Sequence, residues 1–371
     1  MIPKLLHVVY SLIRGGTEGQ CARLALALSS QGYPSRVVVF RREGFFLDPV
    51  ERACGPVYEV GIRRMVSRKT VGEIQSLKKW IEEWEIELVH CWDADAAIFG
   101  SVAARWAGVP YITSRRDLGD IYPRYKLWLM HRADLAARRV TVNADVIRRG
   151  IEKEGVPVGR ITTVPNLLDV AEFDCLASQP FSQKALLPAG RWLVVVARLD
   201  REKDVGTAIK ALSMLSSKYP DIYLVIAGDG PEKKALVDLS TSLKMERRVI
   251  FLGEVHEVPA LLKEMEVALL TSSSNEGLSN SILEYMAAGL PVAATDCGGN
   301  GELVKEGVTG CLVKPGDAAG LAEAVAKLLD GREQSREMGL KGRQVVEKRH
   351  AMDRVIEKWM HVYNKAMGCT A

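Results

Sequence analysis

The sequence predicts an α/β fold built from two doubly wound, Rossmann-like units in series. Short β-branched runs alternate along the chain with longer amphipathic stretches, which is the pattern of parallel sheets covered by helices. A chain of 371 residues is also longer than one hydrophobic core usually supports. A looser stretch, CLASQPFSQKALLPAG at residues 175–190, separates two series of such runs and indicates a linker.

Six strand-like runs precede this linker and six follow it. The first series is KLLHVVYSL, SRVVVF, ELVHCW, PYITS, RRVTVNA and RITTVP, and the second is WLVVVARL, IYLVIAGDG, VIFLGEV, VALLTSS, PVAATDCGG and GCLV. The first run is predicted to be a strand and not a signal peptide, because its apolar segment is short and lacks a small-residue cleavage site. It leads into a helical stretch, EGQCARLALALSSQG, in which Gly32 suits the helix end.

A long helical region closes the sequence, with a break expected near His350 and Ala351. We expect the part after the break to cross back onto the first unit. The predicted domains are therefore an N-terminal domain at residues 1–178, completed by residues 352–371, and a C-terminal domain at residues 186–351.

The composition is that of a soluble globular protein, with 47% apolar and 26% charged residues. Residues 1–185 hold 26 Lys/Arg against 21 Asp/Glu, whereas residues 186–371 hold 24 against 25, so an anionic partner or membrane surface would be met by the first half. Seven scattered cysteines without a C-x-x-C pair argue against a zinc or disulfide framework and fit a reducing cytoplasm. No apolar run approaches the ~18 residues of a membrane span.

Ligands of open α/β sheets bind at the carboxyl ends of the strands, and two such units suggest a site in the cleft between them. The first strand is followed by YSLIRGGTEGQ, in which Gly15 and Gly16 permit positive φ and Thr17 can cap a helix. Such a turn offers amide groups to a phosphate, but an ordinary strand-to-helix turn explains it equally well. It is not the G-x-G-x-x-G dinucleotide fingerprint.

Two loops of the second unit carry further candidates. Arg198 and Lys203 follow its first strand, where cations could balance the charge of a departing nucleoside diphosphate, although a solvated surface is the more common role for such residues. Gly228 lies in the AGDG turn after the next strand, which could approach a nucleotide base or be a plain βα turn.

The stretch SSSNEGLSNSILEYMAAG predicts a helix that begins at Asn280 and Ser281. A helix N-terminus stabilises a docked anion, so phosphate is a natural ligand there. Glu276 stands in the preceding loop, where we expect little packing role for it, and Glu284 lies one turn into the helix. Carboxylates beside a phosphate site suit a ligand with hydroxyl groups, such as a nucleotide sugar.

Asp93 and Asp95 in CWDADAA have the D-x-D spacing that can hold a divalent metal. Helix N-terminal acids are the favoured interpretation of this pair. Two doubly wound units also argue against a metal-dependent, single-sheet transferase.

Taken together, VARLDREKDVGTAIKAL, AGDGPEKKAL and EGLSNSILEYMAAGLPVAATDCGGNGELV closely resemble glycosyltransferase family 4, the large retaining group with the GT-B fold. The strongest match is the family's E-x7-E signature, met by Glu276 and Glu284. The resemblance covers nearly the whole chain and is more specific in the second half. It implies that the first domain takes the acceptor and the second takes the donor.

The resemblance also implies roles for the candidate residues. Arg198 and Lys203 would hold the diphosphate, Glu276 would bind the donor sugar and Glu284 would bind the ribose. The N–H groups of Leu278, Ser279 and Asn280 would support the leaving phosphates, while Gly15 and Gly16 would line the cleft from the acceptor side.

One departure from the family concerns the segment after PYITS, where many members carry a histidine that contacts the donor sugar. Here Arg115, Arg116 and Asp117 occupy the segment, and arginine cannot act as a base, although it can bind phosphate or an anionic acceptor. His90 is a weaker alternative, since a lone histidine at a strand end is more often structural.

The predicted activity is transfer of a sugar, with retention and without metal or other cofactor, from a nucleoside-diphosphate sugar to a glycan or lipid-linked acceptor. A UDP sugar is the favoured donor, and a GDP sugar is the alternative. The expected context is synthesis of a cell-surface polysaccharide or glycolipid. A catalytically inactive nucleotide-sugar-binding partner protein is the main alternative function. An NAD-dependent oxidoreductase lacks its fingerprint, and nucleic-acid binding is not expected.

Residues 115–149 mix aromatic and cationic side chains, among them Tyr125, Trp128, Arg124, Lys126 and Arg132. This mixture suits the headgroup region of an anionic membrane, so peripheral docking at the inner face of the membrane is one hypothesis. A helix that packs its aromatic residues inward, with solvated arginines, is an equally good interpretation.

Overall fold

The computed structural model describes residues 3–62, 65, 67–274 and 276–368. Its contacts divide the chain into two compact units. The first comprises Met1–Leu167 with Met352–Ala371, and the second comprises Leu168–Ala351. The final helical segment therefore belongs to the first unit, as predicted.

The first unit contains a seven-stranded parallel sheet in the described residues, with the strand order β3-β2-β1-β4-β5-β6-β7. Its strands are β1 Leu5–Val9, β2 Ser35–Val39, β3 Tyr58–Glu59, β4 Leu88–Cys91, β5 Tyr111–Arg115, β6 Arg139–Val142 and β7 Ile161–Thr163. β1 and β4 are buried along their whole length, which is why they read as continuous apolar runs. The strand order reverses between β1 and β4, so the sheet is doubly wound.

The second unit contains a six-stranded parallel sheet in the described residues, with the order β10-β9-β8-β11-β12-β13. Its strands are β8 Arg191–Val196, β9 Ile222–Ala227, β10 Val249–Gly253, β11 Val267–Leu270, β12 Val292–Thr295 and β13 Gly310–Val313. Here the order reverses between β8 and β11, so both units are doubly wound, as predicted.

Helices cover both sheets. In chain order they are α1 Gly16–Ser30, α2 Leu47–Cys54, α3 Arg68–Glu83, α4 Ser101–Trp106, α5 Arg124–Ala136, α6 Asp145–Lys153, α7 Val170–Ala177, α8 Val205–Leu215, α9 Lys233–Ser242, α10 Val258–Lys263, α11 Asn280–Ala287, α12 Asn300–Leu303, α13 Ala318–Asp330, α14 Arg332–Arg349 and α15 Met352–Ala366. A π-helical turn, Ala96–Gly100, leads directly into α4. The break between α14 and α15 falls at His350 and Ala351, as predicted.

Local sequence explains several helix ends. α1 stops where Gly32 adopts a φ of +78°, which glycine reaches without a steric cost. The side chain of Ser67 accepts a hydrogen bond from the N–H of Thr70 at the start of α3, and Asp169 does the same for Glu172 at the start of α7.

α15 completes the core of the first unit. Its side chains Val355, Trp359 and Tyr363 are at most 1% exposed and pack in one cluster with residues of α1, β1 and β4. The hydroxyl of Tyr363 lies 3.0 Å from Nδ1 of His90, so the helix is also fixed by a buried polar contact.

The division between the units falls earlier than the linker expected from the sequence. Residues 168–177, expected within the first domain, pack with the second unit, where α7 contacts α10. Arg343 of α14 reinforces this placement by donating two hydrogen bonds, 2.7 and 2.6 Å long, to the carboxylate of Asp174. Both residues lie outside positions 175–190, so the composition of the predicted linker could not indicate this ion pair.

Candidate active site

The carboxyl ends of β8 and β11 carry the central pair of charged residues. Lys203 follows β8 and Glu276 follows β11, and the side-chain nitrogen of Lys203 donates a hydrogen bond to Oε1 of Glu276. Because the strand order reverses between these two strands, the pair stands at the switch point of the sheet. This is where ligands of doubly wound sheets bind.

Glu276 is almost fully buried, with 6% of its surface exposed. Its Oε1 also accepts a hydrogen bond of 2.6 Å from the hydroxyl of Ser272. The expectation that this loop carboxylate has little packing role is therefore wrong, because Lys203 and Ser272 hold it from two sides. The sequence analysis missed Ser272, although its position just after β11 and four residues before Glu276 is a usable signal.

The two loops that carry this pair are also joined through their backbones. The N–H of Ser273 donates to the carbonyl of Glu202 at 2.8 Å, and the hydroxyl of Thr271 donates to the carbonyl of Lys203 at 2.9 Å. Hydrogen bonds from two side chains to Glu276, together with hydrogen bonds between the loops, thus fix the position of the carboxylate relative to the ammonium group.

Glycine allows a third loop to approach the pair. Gly298, between β12 and α12, has a φ of +56°, and a Cβ atom there would lie 1.8 Å from the carbonyl oxygen of Glu276. The next residue, Gly299, donates its N–H to the carbonyl of Gly277 at 3.0 Å. A larger residue at position 298 would displace the segment that carries the carboxylate.

Gly228 has a similar steric role at the end of β9. Its φ is +146°, and a Cβ atom would lie 1.9 Å from the carbonyl oxygen of Ala197. The glycine is thus required by the close approach of the β9 and β8 ends. This explains the residue structurally and leaves its predicted role near a nucleotide base a prediction.

α11 begins at Asn280, as predicted, with the hydroxyl of Ser279 accepting a long hydrogen bond of 3.4 Å from the N–H of Ile282. Leu278 and Ser279 are buried, whereas Glu284 is half-buried on the second turn. The hydroxyl of Tyr285 accepts a 2.7 Å hydrogen bond from the N–H of Val196. This contact places the helix beside the carboxyl end of β8, so its N-terminal amides lie in the same region as the charged pair.

Arg198 is an exposed cation at this edge of the sheet. Its side chain is 70% exposed, and its guanidinium lies 3.0 Å from a carboxylate oxygen of Asp200. Exposed ion pairs of this kind contribute little stability, and the side chain can exchange such a partner for an anionic ligand at small cost.

In the first unit, the glycine loop differs from its prediction in two respects. Gly15 has a φ of −85°, so positive φ is not used there, and Gly16 is the first residue of α1. The backbone of Gly15 caps the helix without any side-chain hydrogen bond, so the expected cap by Thr17 is wrong. The helix begins one residue before Thr17, which therefore lies inside the first turn.

The two arginines at the end of β5, Arg115 and Arg116, are buried and paired with polar side chains. Nε of Arg115 lies 3.2 Å from Asp134, which has no exposed surface, and its Nη2 lies 2.9 Å from Glu154. Arg116 donates to the side-chain oxygen of Asn166, and burial lowers its pKa to about 10. Burial also raises the pKa of Asp117, whose carboxylate accepts hydrogen bonds from Tyr122 and Gly119.

His90 has no exposed surface, and both of its ring nitrogens are engaged. Nε2 lies 2.8 Å from the hydroxyl of Ser114, and Nδ1 faces Tyr363. Burial holds the pKa of His90 well below its usual range. This geometry favours the structural role for His90 over the alternative role in binding.

Asp93 is a helix N-terminal acid, as favoured from the sequence. Its carboxylate accepts hydrogen bonds from the backbone N–H of Ala96 at 3.0 Å and of Tyr10 at 2.6 Å. Burial raises its pKa to about 7. Asp95 instead pairs with Lys126 at 3.0 Å. The two carboxylates thus have separate partners.

Comparison of the sequence with known proteins identifies the family of the chain. The profile described as Glycosyl transferases group 1 matches residues 180–345, and the profile described as Glycosyltransferase Family 4 matches residues 14–172. The chain belongs to this glycosyltransferase family. The matched ranges include both Glu276 and Lys203, and the family predicted from the sequence is confirmed.

Two curated relatives of this glycosyltransferase cover most of its length. Glycosyltransferase EpsD of Bacillus subtilis (strain 168) is 27% identical over 333 residues, which are 84% of this chain and 85% of the relative. The Escherichia coli enzyme UDP-Gal:alpha-D-GlcNAc-diphosphoundecaprenol alpha-1,3-galactosyltransferase is 26% identical over 280 residues, 71% of each chain.

The crystal structure of Anabaena Alr3699/HepE in complex with UDP and glucose matches with a TM-score of 0.86 and 21% identity, covering 97% of this chain and 98% of that one. The glycosyltransferase therefore has the predicted GT-B fold. In the described residues, no helix is both long enough and apolar enough to span a membrane.

Proposed function

We propose that this glycosyltransferase moves a sugar, with retention of anomeric configuration, from a UDP sugar to a glycan or lipid-linked acceptor. The observation that carries this proposal is the Lys203–Glu276 pair at the switch point of the second sheet. A cation and a buried carboxylate beside a helix N-terminus match a ligand that combines phosphate with hydroxyl groups.

Positive charge for the diphosphate comes from three sources in the second unit. Arg198 is exposed and can reach a ligand, Lys203 is partly exposed, and the N–H groups at Leu278 to Asn280 lie at the start of α11. Charged donors and a helix N-terminus stabilise the charge that grows on a leaving diphosphate. For this reason we propose that the transfer proceeds without a metal ion.

Glu276 is proposed to hold the donor sugar and Glu284 the ribose. A carboxylate is an acceptor of hydrogen bonds only, so it suits the hydroxyl groups of both sugars. Ser272 and Lys203 both donate a hydrogen bond to Oε1 of Glu276, whereas none of the residues that the structure describes donates one to Oε2. This leaves Oε2 as the oxygen through which the residue would bind a sugar hydroxyl.

In the proposed reaction, the acceptor hydroxyl oxygen forms a bond to the anomeric carbon on the face from which the diphosphate departs. The bond between that carbon and the diphosphate oxygen breaks with its electron pair. The proton of the acceptor hydroxyl passes to the departing phosphate oxygen, so no protein base is needed. The cations around the diphosphate lower the barrier by stabilising its growing charge.

Two similar proteins support the proposed choice of substrates. The Anabaena structure contains UDP and glucose, and the Escherichia coli relative uses UDP-galactose and a diphosphoundecaprenol-linked acceptor. We therefore propose a UDP sugar in preference to a GDP sugar, and synthesis of a cell-surface polysaccharide or glycolipid as the context.

A thermal-shift panel with UDP, GDP, ADP and NAD tests the donor site. A ligand at a hundred times its dissociation constant stabilises the native state by about 2.7 kcal/mol. We expect a selective response to UDP that Arg198→Ala weakens by about tenfold in affinity or more, whereas Arg201→Ala, a change to an exposed arginine of the same loop, does not. A response to NAD alone would contradict the proposal.

Turnover separates the enzyme from the alternative, a nucleotide-sugar-binding partner protein without activity. Purified chain and a UDP sugar should release UDP, with water or a simple glycoside as acceptor. Binding of UDP without any release of UDP from a panel of UDP sugars and acceptors would favour the partner protein.

A further inference from the structure

An exposed aromatic face lies on α5 and on the loop before it. Four of the sixteen exposed large hydrophobic residues in the described chain fall within eleven residues of each other. They are Leu118, Ile121, Tyr125 and Trp128, which are 36%, 52%, 58% and 61% exposed. Single exposed apolar side chains are common on protein surfaces, whereas a contiguous group indicates a binding surface.

Arginines flank the most exposed of these aromatic residues. Arg124, Trp128 and Arg132 follow one another at four-residue intervals, so they line up along one side of α5. Both arginines are exposed, and neither forms an ion pair within the described ranges of the chain. Together, Leu118, Ile121, Arg124, Tyr125, Trp128 and Arg132 are called the α5 face here.

The other side of α5 is fully used for packing. Met130, Ala133 and Asp134 are buried, and Lys126 pairs with Asp95. The interpretation in which the helix turns its aromatic residues inward therefore does not hold for Tyr125 and Trp128. Both side chains are turned outward and remain available to a ligand outside the chain.

We infer that the α5 face docks on the surface of an anionic lipid bilayer. The indole and phenol groups each join an apolar ring to a polar atom, which suits the boundary between headgroups and acyl chains. Arginines at either end of Trp128 can reach lipid phosphates while their stems lie along the apolar region. The segment from 118 to 132 has one exposed acid, Asp120, against its two exposed arginines, so the face is positive.

A second copy of the chain is the less suitable occupant. A twofold interface centred on Trp128 would set the Arg124–Arg132 line of one copy against that of the other, so four arginines would meet with only the two exposed Asp120 carboxylates of the segment 118–132 to offset them. Membrane docking goes beyond the transfer reaction and does not depend on the donor site. It would place the enzyme at the surface where a lipid-linked acceptor is exposed.

Flotation of the full chain with vesicles tests this inference. We expect the chain to float with phosphatidylcholine vesicles that contain phosphatidylglycerol, to float poorly with phosphatidylcholine alone, and to be released by salt. Replacing both arginines, Arg124→Gln with Arg132→Gln, should weaken partition by about 25-fold, at about fivefold for each basic residue near a charged surface. Arg105→Gln, a change to an exposed arginine of α4, should have no effect.

Tryptophan quenching by brominated lipids tests the orientation. Trp128→Phe should remove most of the quenching, whereas Trp106→Phe should not. Trp106 is 48% exposed, but it ends α4 and so lies at the amino-terminal edge of the parallel sheet, whereas α5 starts from the carboxyl edge. Circular dichroism and the thermal midpoint show whether each variant is folded.

Three results would overturn the inference. The first is absence of flotation of the natural chain with anionic vesicles at low salt, and the second is equal flotation of the double arginine variant. The third is self-association without vesicles that Trp128→Ser abolishes, which would assign the face to a second copy. Because flotation is measured without nucleotide, its outcome is independent of the UDP response that tests the donor site.

Discussion

The carboxylate of Glu276 is held by residues from both sides of the switch point. Its position therefore depends on a contact between segments that are far apart in the sequence. Lys203 lies 73 positions earlier in the chain, whereas Ser272 lies four positions earlier. A carboxylate fixed in this way needs no rearrangement to meet a sugar hydroxyl, and preorganised groups are the ones that contribute most to transition-state stabilisation.

Removing this carboxylate should affect catalysis and stability to different extents. Glu276→Gln keeps the shape and one acceptor oxygen, so we expect transfer to fall by about 10²-fold or more with UDP affinity nearly unchanged. Glu276→Ala should in addition lower the free energy of unfolding by about 1–3 kcal/mol, because Lys203 and Ser272 lose their partner. Steady-state kinetics and chemical denaturation measure the two effects.

Glu254→Gln is the matched control, since Glu254 is an exposed glutamate of the same unit. Its rate and stability should equal those of the natural chain. Full activity of Glu276→Gln would contradict the role proposed for this residue.

Asp93 should give the first unit a characteristic pH dependence. Burial raises its pKa from 3.8 to about 7, and the carboxylates of Asp95 and Glu18 act in the same direction. A carboxyl group whose pKa is raised by folding binds its proton more tightly in the native state. Its contribution to stability is therefore complete below about pH 4 and is lost as the pH rises towards 7.

Asp93→Asn removes this titration. The free energy of unfolding of the natural chain should fall relative to that of the variant between about pH 4 and 7, by at most about 1.4 kcal/mol per pH unit. Denaturation curves at several pH values measure the difference. Parallel pH profiles for the two proteins would show that the Asp93 carboxyl group titrates normally.

For single residues, the sequence was enough to select candidates but not to predict their burial or their contacts. Arg198, Lys203 and Glu276 were chosen from their place after strands and from the resemblance to a family, and their roles in transfer remain predictions. Burial of Glu276 and the contact with Ser272 could not be predicted, because both depend on how two distant loops meet. The outward direction of Trp128 was likewise undecided, since helical spacing alone does not say which face is buried.

At the scale of elements, the site depends on how closely three strand-end loops approach each other. Gly298 and Gly299 lie against the backbone of residues 276 and 277, and only glycine fits at position 298. The close approach of these backbones fixes the position of the Glu276 side chain, although the glycines themselves provide no reactive group.

Gly298→Ala should therefore reduce activity as well as stability. The added Cβ would collide with the carbonyl oxygen of Glu276 and shift its loop. Gly307→Ala is a close control, because its φ of +68° imposes a similar backbone cost of about 1–2 kcal/mol and nothing lies within 4 Å of the new atom. Thermal midpoints and transfer rates of the two variants measure the difference.

If both alanine variants lose the same stability and keep the same activity, the close approach at Gly298 has no functional role. The expected result is that Gly307→Ala transfers sugar at the natural rate, whereas Gly298→Ala does not.

The strands were easier to predict from the sequence than the boundary between the two units. Twelve strands were found from apolar runs because buried parallel strands are apolar on both faces. β3 was missed, since it has only two residues and both are exposed. α7 was expected to belong to the first domain, but its contacts with α10 and the ion pair of Asp174 with Arg343 assign it to the second.

At the scale of the whole molecule, the first unit is completed by the segment farthest from it in sequence. Trp359 and Tyr363 belong to the same buried cluster as Leu5 and Trp92. Trp359→Ala should lower the free energy of unfolding by about 3–5 kcal/mol, because a large, fully buried side chain leaves a cavity. Chemical denaturation measures this loss.

Hydrogen exchange shows where that loss falls. Protection should decrease in the described residues of the first unit, because the buried cluster that contains Trp359 lies there. Met214→Ala, a change to a side chain that is 57% exposed in the second unit, serves as the control and should leave protection unchanged. Equal loss of protection throughout residues 168–351 would show that the two units do not unfold separately.

The return of α15 to the first unit has a consequence for the order in which the protein is made. A ribosome produces the part of the first unit up to Leu167 first, yet its core lacks Trp359 and Tyr363 until the entire second unit has been translated. The nascent core of the first unit must therefore remain incomplete, with apolar surface accessible to chaperones, while residues 168–351 emerge and fold. The first unit to be synthesised is the last to be finished.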